Sequence, residues 1–120
     1  MTALLLDTNA YTALGRGHTA VKDLVSSSRR IYFSVIVLGE LMDGFRGGSQ
    51  FDANIAALKR FFGNPLVDLV PATDLTADRY GRIKCALRAK GCPIPTNDIW
   101  IAAHAMETGA ELISFDAHFD

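Results

Sequence analysis

Cysteine, charge of one sign and long apolar runs are all scarce in this chain, and each shortage excludes something. Cys85 and Cys92 are the only two cysteines. Two are too few for a disulfide scaffold, and they lack the paired spacing of a zinc site, so they read as plain intracellular thiols. Twelve Lys and Arg stand against 13 Asp and Glu, a formal net charge of −1. A protein so balanced has no global basic field with which to hold nucleic acid, and any such binding must use a local patch or a metal. No apolar run reaches the length needed to span a bilayer, and the first residues lack the basic and apolar regions of a signal peptide. The expected compartment is the cytoplasm, with no membrane partner. Repeats, low-complexity tracts and long linkers are also missing.

What is present is a globular composition. Hydrophobic residues make up 49% and charged residues 21% of 120 positions, which rules out a disordered chain and fits one compact domain over 1–120. Short runs rich in β-branched, leucine and aromatic residues alternate with longer stretches of helical periodicity. Strands are predicted at Leu4–Leu6, Ile31–Phe33, Leu66–Val70 and Glu111–Phe115. Helices are predicted over 9–14, 18–28, 35–45, 51–62, 75–90 and 98–108, with the 35–45 helix largely buried. This alternation predicts an α/β three-layer sandwich, a parallel sheet of four to five strands flanked by helices.

Four carboxylates then acquire a common meaning. Asp7 directly follows Leu4-Leu5-Leu6, and Asp116 follows Leu112-Ile113-Ser114-Phe115. Parallel strands would deliver both to one sheet edge, the edge where open α/β sheets bind ligands. Asp98 opens a helix, whose first turn favours an anion. Glu40 shares a helix face with Ile36, Val37 and Gly44, a costly place for a carboxylate that lacks a partner or a metal. Each has a plainer use: Asp7 as a helix cap, Asp98 as a first-turn anion, Asp116 as a turn residue, Glu40 as a snorkelling or Arg46-paired side chain. Taken together they repel one another, and a hard divalent cation relieves that repulsion. Mg2+ or Mn2+ takes such oxygen ligands and activates water toward a phosphate. Thr8 and Asn9 follow Asp7, Ser34 follows the second strand and Asn97 precedes Asp98, and these neutral polar groups either support the acids or cap helices.

The segments Leu5-Leu-Asp-Thr-Asn9, Ser34-Val-Ile-Val-Leu-Gly-Glu40-Leu, Pro93-Ile-Pro-Thr-Asn-Asp98-Ile-Trp-Ile-Ala-Ala-His104-Ala and Leu112-Ile-Ser-Phe-Asp116-Ala-His-Phe resemble the four signature blocks of the PIN-domain nucleases. They are most similar to the VapC toxins of toxin–antitoxin pairs. The resemblance spans nearly the whole chain, in order. It implies that Asp7, Glu40, Asp98 and Asp116 bind Mg2+ or Mn2+ and activate water, with Thr8 or Asn9, Ser34 and Asn97 in supporting positions. It also implies an endoribonuclease acting on RNA, a homodimer, and inhibition by a cognate VapB-like antitoxin whose C-terminal segment covers the site. Chains of this type usually continue with a Phe-x-x-Ile-x-Gly-Leu-like last edge strand, whereas this sequence stops at His118-Phe119-Asp120.

Two rival classes share the same frame: a PIN-like nuclease of RNA processing or of DNA, and a non-catalytic metal-binding interaction module. The first usually carries extra domains, and all four acids argue against the second. A phosphorylated receiver domain is excluded, since Asp7 has no acidic neighbour and no lysine follows Asp116. Arg79, Arg82, Lys84, Arg88 and Lys90 read chiefly as a solvated helix face, with Asp78 as a helix partner for Arg82. Trp100 and His104, four apart, read as packing residues, and His118 as a surface residue. The apolar excess between 35 and 62 suits a dimer or antitoxin interface.

Overall fold

In a computed structural model of the protein, residues 2–114 are described. Four parallel strands form one sheet: β1 (Ala3–Leu6), β2 (Arg30–Ser34), β3 (Val67–Val70) and β4 (Glu111–Ile113), in the order β3-β2-β1-β4. Six helices among the described residues flank it: α1 (Thr8–Gly15), α2 (Thr19–Ser27), α3 (Val35–Gly47), α4 (Phe51–Phe62), α5 (Asp74–Lys90) and α6 (Thr96–Thr108). The α/β sandwich expected from the alternation of strand and helix patterns is therefore the architecture found.

β1 has neighbours on both sides, and all four of its residues are buried. A strand covered on both faces needs a continuous apolar run rather than alternation, which is why Ala3-Leu-Leu-Leu6 occupies this place. Its register pairs Leu4 with Ile31 of β2 and with Glu111 of β4. Asp7 continues the ladder by one step, its N–H donating to the Ile113 carbonyl at 3.1 Å. It also ends the strand, because its carboxylate then caps α1.

Two clusters of buried side chains hold the layers together. Leu5, Phe33, Val37, Leu41, Leu58 and Ile101 make one, and Leu6, Ala10, Ile31 and Val67 the other. Phe33, fully buried, meets the rings of Tyr11, Phe61 and Phe62 edge-on at 5.2 to 5.5 Å between centroids. Three elements, β2, α1 and α4, are thus joined through one side chain.

Several boundaries moved. β4 is described over three residues; the expected extension to Phe115, and Asp116 and His118 with it, lie outside the described residues. α3 is less buried than its apolar content predicted. Only Val37 and Leu41 are buried, while Leu38 and Met42 border an apolar groove of about 390 Å³ with Ile55, Phe62 and Leu69. One helix face suffices to cover the sheet, so the remaining apolar residues are left at the surface. α5 and α6 end on Gly91 and Gly109, both at positive φ (67° and 70°), the left-handed conformation that stops a helix. Among the described residues no helix is long and apolar enough to cross a membrane.

Candidate active site

The carboxyl end of β1 opens onto a small cleft of about 160 Å³ lined by Asp7, Thr8, Asn9, Glu40, Asp98 and Ile101. Three separate elements deliver its acids. Asp7 comes from the β1–α1 junction, Glu40 from the middle of α3, and Asp98 from the first turn of α6.

Asp7 is 4% exposed and held from both sides. Its Oδ1 accepts the Ala10 N–H at 2.7 Å, the N-cap bond of α1, and its Oδ2 accepts the Ser114 hydroxyl. The capping role and the site position therefore coexist, because a carboxylate has about four acceptor sites and these two bonds fill two. Glu40 is half-buried and accepts from Thr8 Oγ1 at 2.7 Å through its Oε1. It does not pair with Arg46, whose guanidinium lies 4.7 Å from the centre of the Phe51 ring. Thr8 is the first residue of α1, so its hydroxyl is fixed by the same cap that orients Asp7.

Other sequence-selected residues lie elsewhere. Ser34 is fully buried at the end of β2. It caps α3 by accepting from Ile36 N–H at 3.1 Å and bonds His104 Nδ1 at 2.7 Å, outside the cleft lining. Asn97 is exposed and also outside that lining. Trp100 stacks on Tyr80 at 4.2 Å, which ties α6 to α5. Arg79 and Arg82 both bond Asp78, at 3.1 and 3.0 Å, as the spacing of Asp78 and Arg82 predicts. Exposed pairs of this kind contribute little to stability. Ser114, the partner of Asp7, is not singled out by local sequence pattern. Its only signal was its place at the end of a strand that pairs with β1.

His104 is buried because it joins three elements. Its Nε2 faces the Pro71 carbonyl at 3.1 Å, and only a ring N–H can serve a carbonyl. Nδ1 is then the acceptor for the Ser34 hydroxyl, so a single neutral tautomer satisfies every atom. Burial lowers its pKa below the ordinary histidine value, against the raising effects of the Pro71 bond and the Glu107 charge. A histidine depressed in the folded state binds its proton more readily when unfolded, so it costs stability as pH falls below about 6.5. The melting temperature is expected to drop between pH 7.5 and 5.5, with the drop reduced in His104→Gln. A thermal melt series on both proteins checks this; equal slopes would show that His104 takes up its proton equally in the folded and unfolded states.

Residues 4–120 match the PIN domain, and the chain belongs to that family. Within it, the chain is similar to proteins named ribonuclease VapC. Ribonuclease VapC2 of Haemophilus influenzae is 31% identical over 117 residues, covering 95% of this chain and 86% of its own length. Ribonuclease VapC5 of Mycobacterium tuberculosis is 26% identical over 115 residues, covering 96% and 84%. A solved structure of VapBC-1 from nontypeable Haemophilus influenzae superposes with a TM-score of 0.82 at 28% identity, covering 95% of this chain and 87% of that one.

Proposed function

We propose that this protein is a metal-dependent endoribonuclease, the toxin of a toxin–antitoxin pair. The observation that carries the reading is that Asp7, Glu40 and Asp98, separated in sequence, line one cleft at the carboxyl ends of the strands. The similarity to proteins named ribonuclease VapC supports RNA as the substrate.

The donor set suits a hard cation. Its donor atoms are carboxylate, hydroxyl and amide oxygens, with no thiolate or imidazole among the described lining residues. Among the described residues no three acidic, histidine or cysteine side chains close into a ready-made metal cage. Asp116 is proposed as the fourth acid. Bound beside these acids, Mg2+ or Mn2+ supplies a water of lowered pKa and stabilises charge on the phosphate. The chain's own residues do the positioning. Ala10 N–H and Ser114 Oγ fix the plane of the Asp7 carboxylate, and Thr8 Oγ1 fixes Glu40. Asp98 stands in the first turn of α6, at the positive end of its dipole. Asn9 supplies a neutral amide at the rim, where a phosphate approaches.

The antitoxin is proposed to be VapB-like, as in the solved VapBC-1 complex. The apolar groove between α3 and α4 offers surface for burial against a partner chain, antitoxin or second copy.

Incubation of the full chain with end-labelled total RNA tests the activity. Discrete cuts with Mg2+ or Mn2+, absent with EDTA, are expected; intact RNA under every metal condition overturns the reading. Thr8→Val keeps the shape of the side chain and removes the bond to Glu40. It is expected to raise the Mn2+ concentration needed for half-maximal cleavage by about 10- to 100-fold, with an unchanged thermal melt because Asp7 supplies the α1 cap. An unchanged metal requirement would show that Glu40 needs no support from Thr8.

A further inference from the structure

Acids alone do not hold an RNA strand. Around the cleft, Asp7, Glu40 and Asp98 repel phosphates on either side of the reacting one, and the net charge of −1 gives no general attraction. A cation beside the cleft must supply that hold, and five of the other basic residues have partners of their own. Arg30 pairs with Asp68 at 2.6 Å, while Arg79 and Arg82 pair with Asp78. Arg46 lies over Phe51, and Lys84 lies over Tyr80 at 5.7 Å.

Arg16 is different. It sits at the C-terminal end of α1, where only its backbone N–H takes part in the helix cap. Its side chain is exposed and makes no ion pair among the described residues. It lines an open cleft of about 950 Å³ that adjoins the acidic cleft at Asn9, a residue lining both. Thr8, Thr12 and Arg16 are spaced four apart and lie along one row of the helix. At 1.5 Å per residue, that row carries a ligand about 12 Å from Thr8 to Arg16.

We infer that Arg16 binds a backbone phosphate of the RNA flanking the cut, so that the strand leaves the acidic cleft along α1. This rests on the nuclease reading for the identity of the strand. The guanidinium fits a phosphate through two parallel N–H bonds, and among the described residues the lining of this cleft, Asn9 and Thr12 included, carries no carboxylate.

Binding of a short single-stranded RNA in Mg2+, followed by fluorescence anisotropy across a salt series, tests the contact. Asp7→Asn is the background, so that the RNA is not consumed. Adding Arg16→Ala is expected to weaken binding about five- to tenfold and to lower the slope of log affinity against log salt by about 0.7, one phosphate contact on a single strand. Arg16→Lys keeps most of the slope, and Arg88→Ala on α5 leaves affinity and slope as they were. In the cleaving protein, Arg16→Ala raises KM with kcat little changed, the pattern of uniform binding. An unchanged slope and affinity in Arg16→Ala, with cleavage by the parent intact, overturns the inference and leaves the nuclease reading standing. A parent that never cleaves, with the slope still lost in Arg16→Ala, overturns the nuclease reading and leaves Arg16 as an RNA contact.

Discussion

Asp7→Asn is expected to reduce RNA cleavage by about a thousandfold or more, with little change in melting temperature. The reasoning separates the two jobs of this side chain. Asparagine is as good an N-cap as aspartate, so the bond from Ala10 N–H survives through the amide oxygen. The same size and shape keep β1 and α1 in place. What is lost is one negative charge and one oxygen donor at a cleft already lined by Glu40 and Asp98. A cation held by fewer charges binds more weakly and polarises a phosphate less, and about 4 kcal/mol of lost transition-state stabilisation corresponds to that thousandfold. The measurement is the single-turnover rate on labelled RNA at saturating Mn2+, with a melt alongside. Cleavage within threefold of the parent would remove Asp7 from the chemistry and leave it as a cap alone. A large fall in melting temperature would mean that the Ser114 bond needs the charge.

Phe33→Ala is expected to cost about 3 to 5 kcal/mol of folding stability, the range for emptying a buried aromatic site. Phe33 is fully buried at the meeting point of β2, α1 and α4. Three further rings surround it, so the space left behind cannot close by a small local shift, and edge-on ring contacts are lost with the apolar area. Domains of this size have about 5 to 15 kcal/mol in total, so the variant loses a large share. Urea denaturation followed by circular dichroism measures it, with Phe33→Leu as the partner variant. The leucine is expected to retain most of the stability because it fills much of the same volume. A loss below 1 kcal/mol for the alanine would mean that Tyr11, Phe61 and Phe62 repack, and that the three elements are joined by other contacts.

Both predictions fall on residues whose importance is visible to different degrees before folding. Asp7 stood out at once, because a buried strand that stops at a carboxylate is a local pattern. Phe33 looked like one apolar strand residue among several. Its neighbours Tyr11, Phe61 and Phe62 are tens of residues away along the chain, and no local periodicity brings four rings together.

The cleft shows the same division. Local sequence pattern sets the strand and helix order, the parallel sheet and the position of Asp7 at a strand end, because periodicity of two and of 3.6 residues and the helix-stopping glycines act over short range. It also determined the chemical character of the lining, hard oxygen donors. Tertiary structure alone decided which polar residues share the cleft. Ser34 ends a strand and Asn97 stands next to Asp98 in sequence, yet Ser34 is drawn to His104 and Asn97 is exposed at the α6 terminus. Ser114 and Thr8 became the partners of Asp7 and Glu40 because β4 pairs with β1 and α3 crosses α1. A side chain within hydrogen-bond reach of several groups goes where a buried polar atom would otherwise lack a partner, and that choice depends on which elements meet in space.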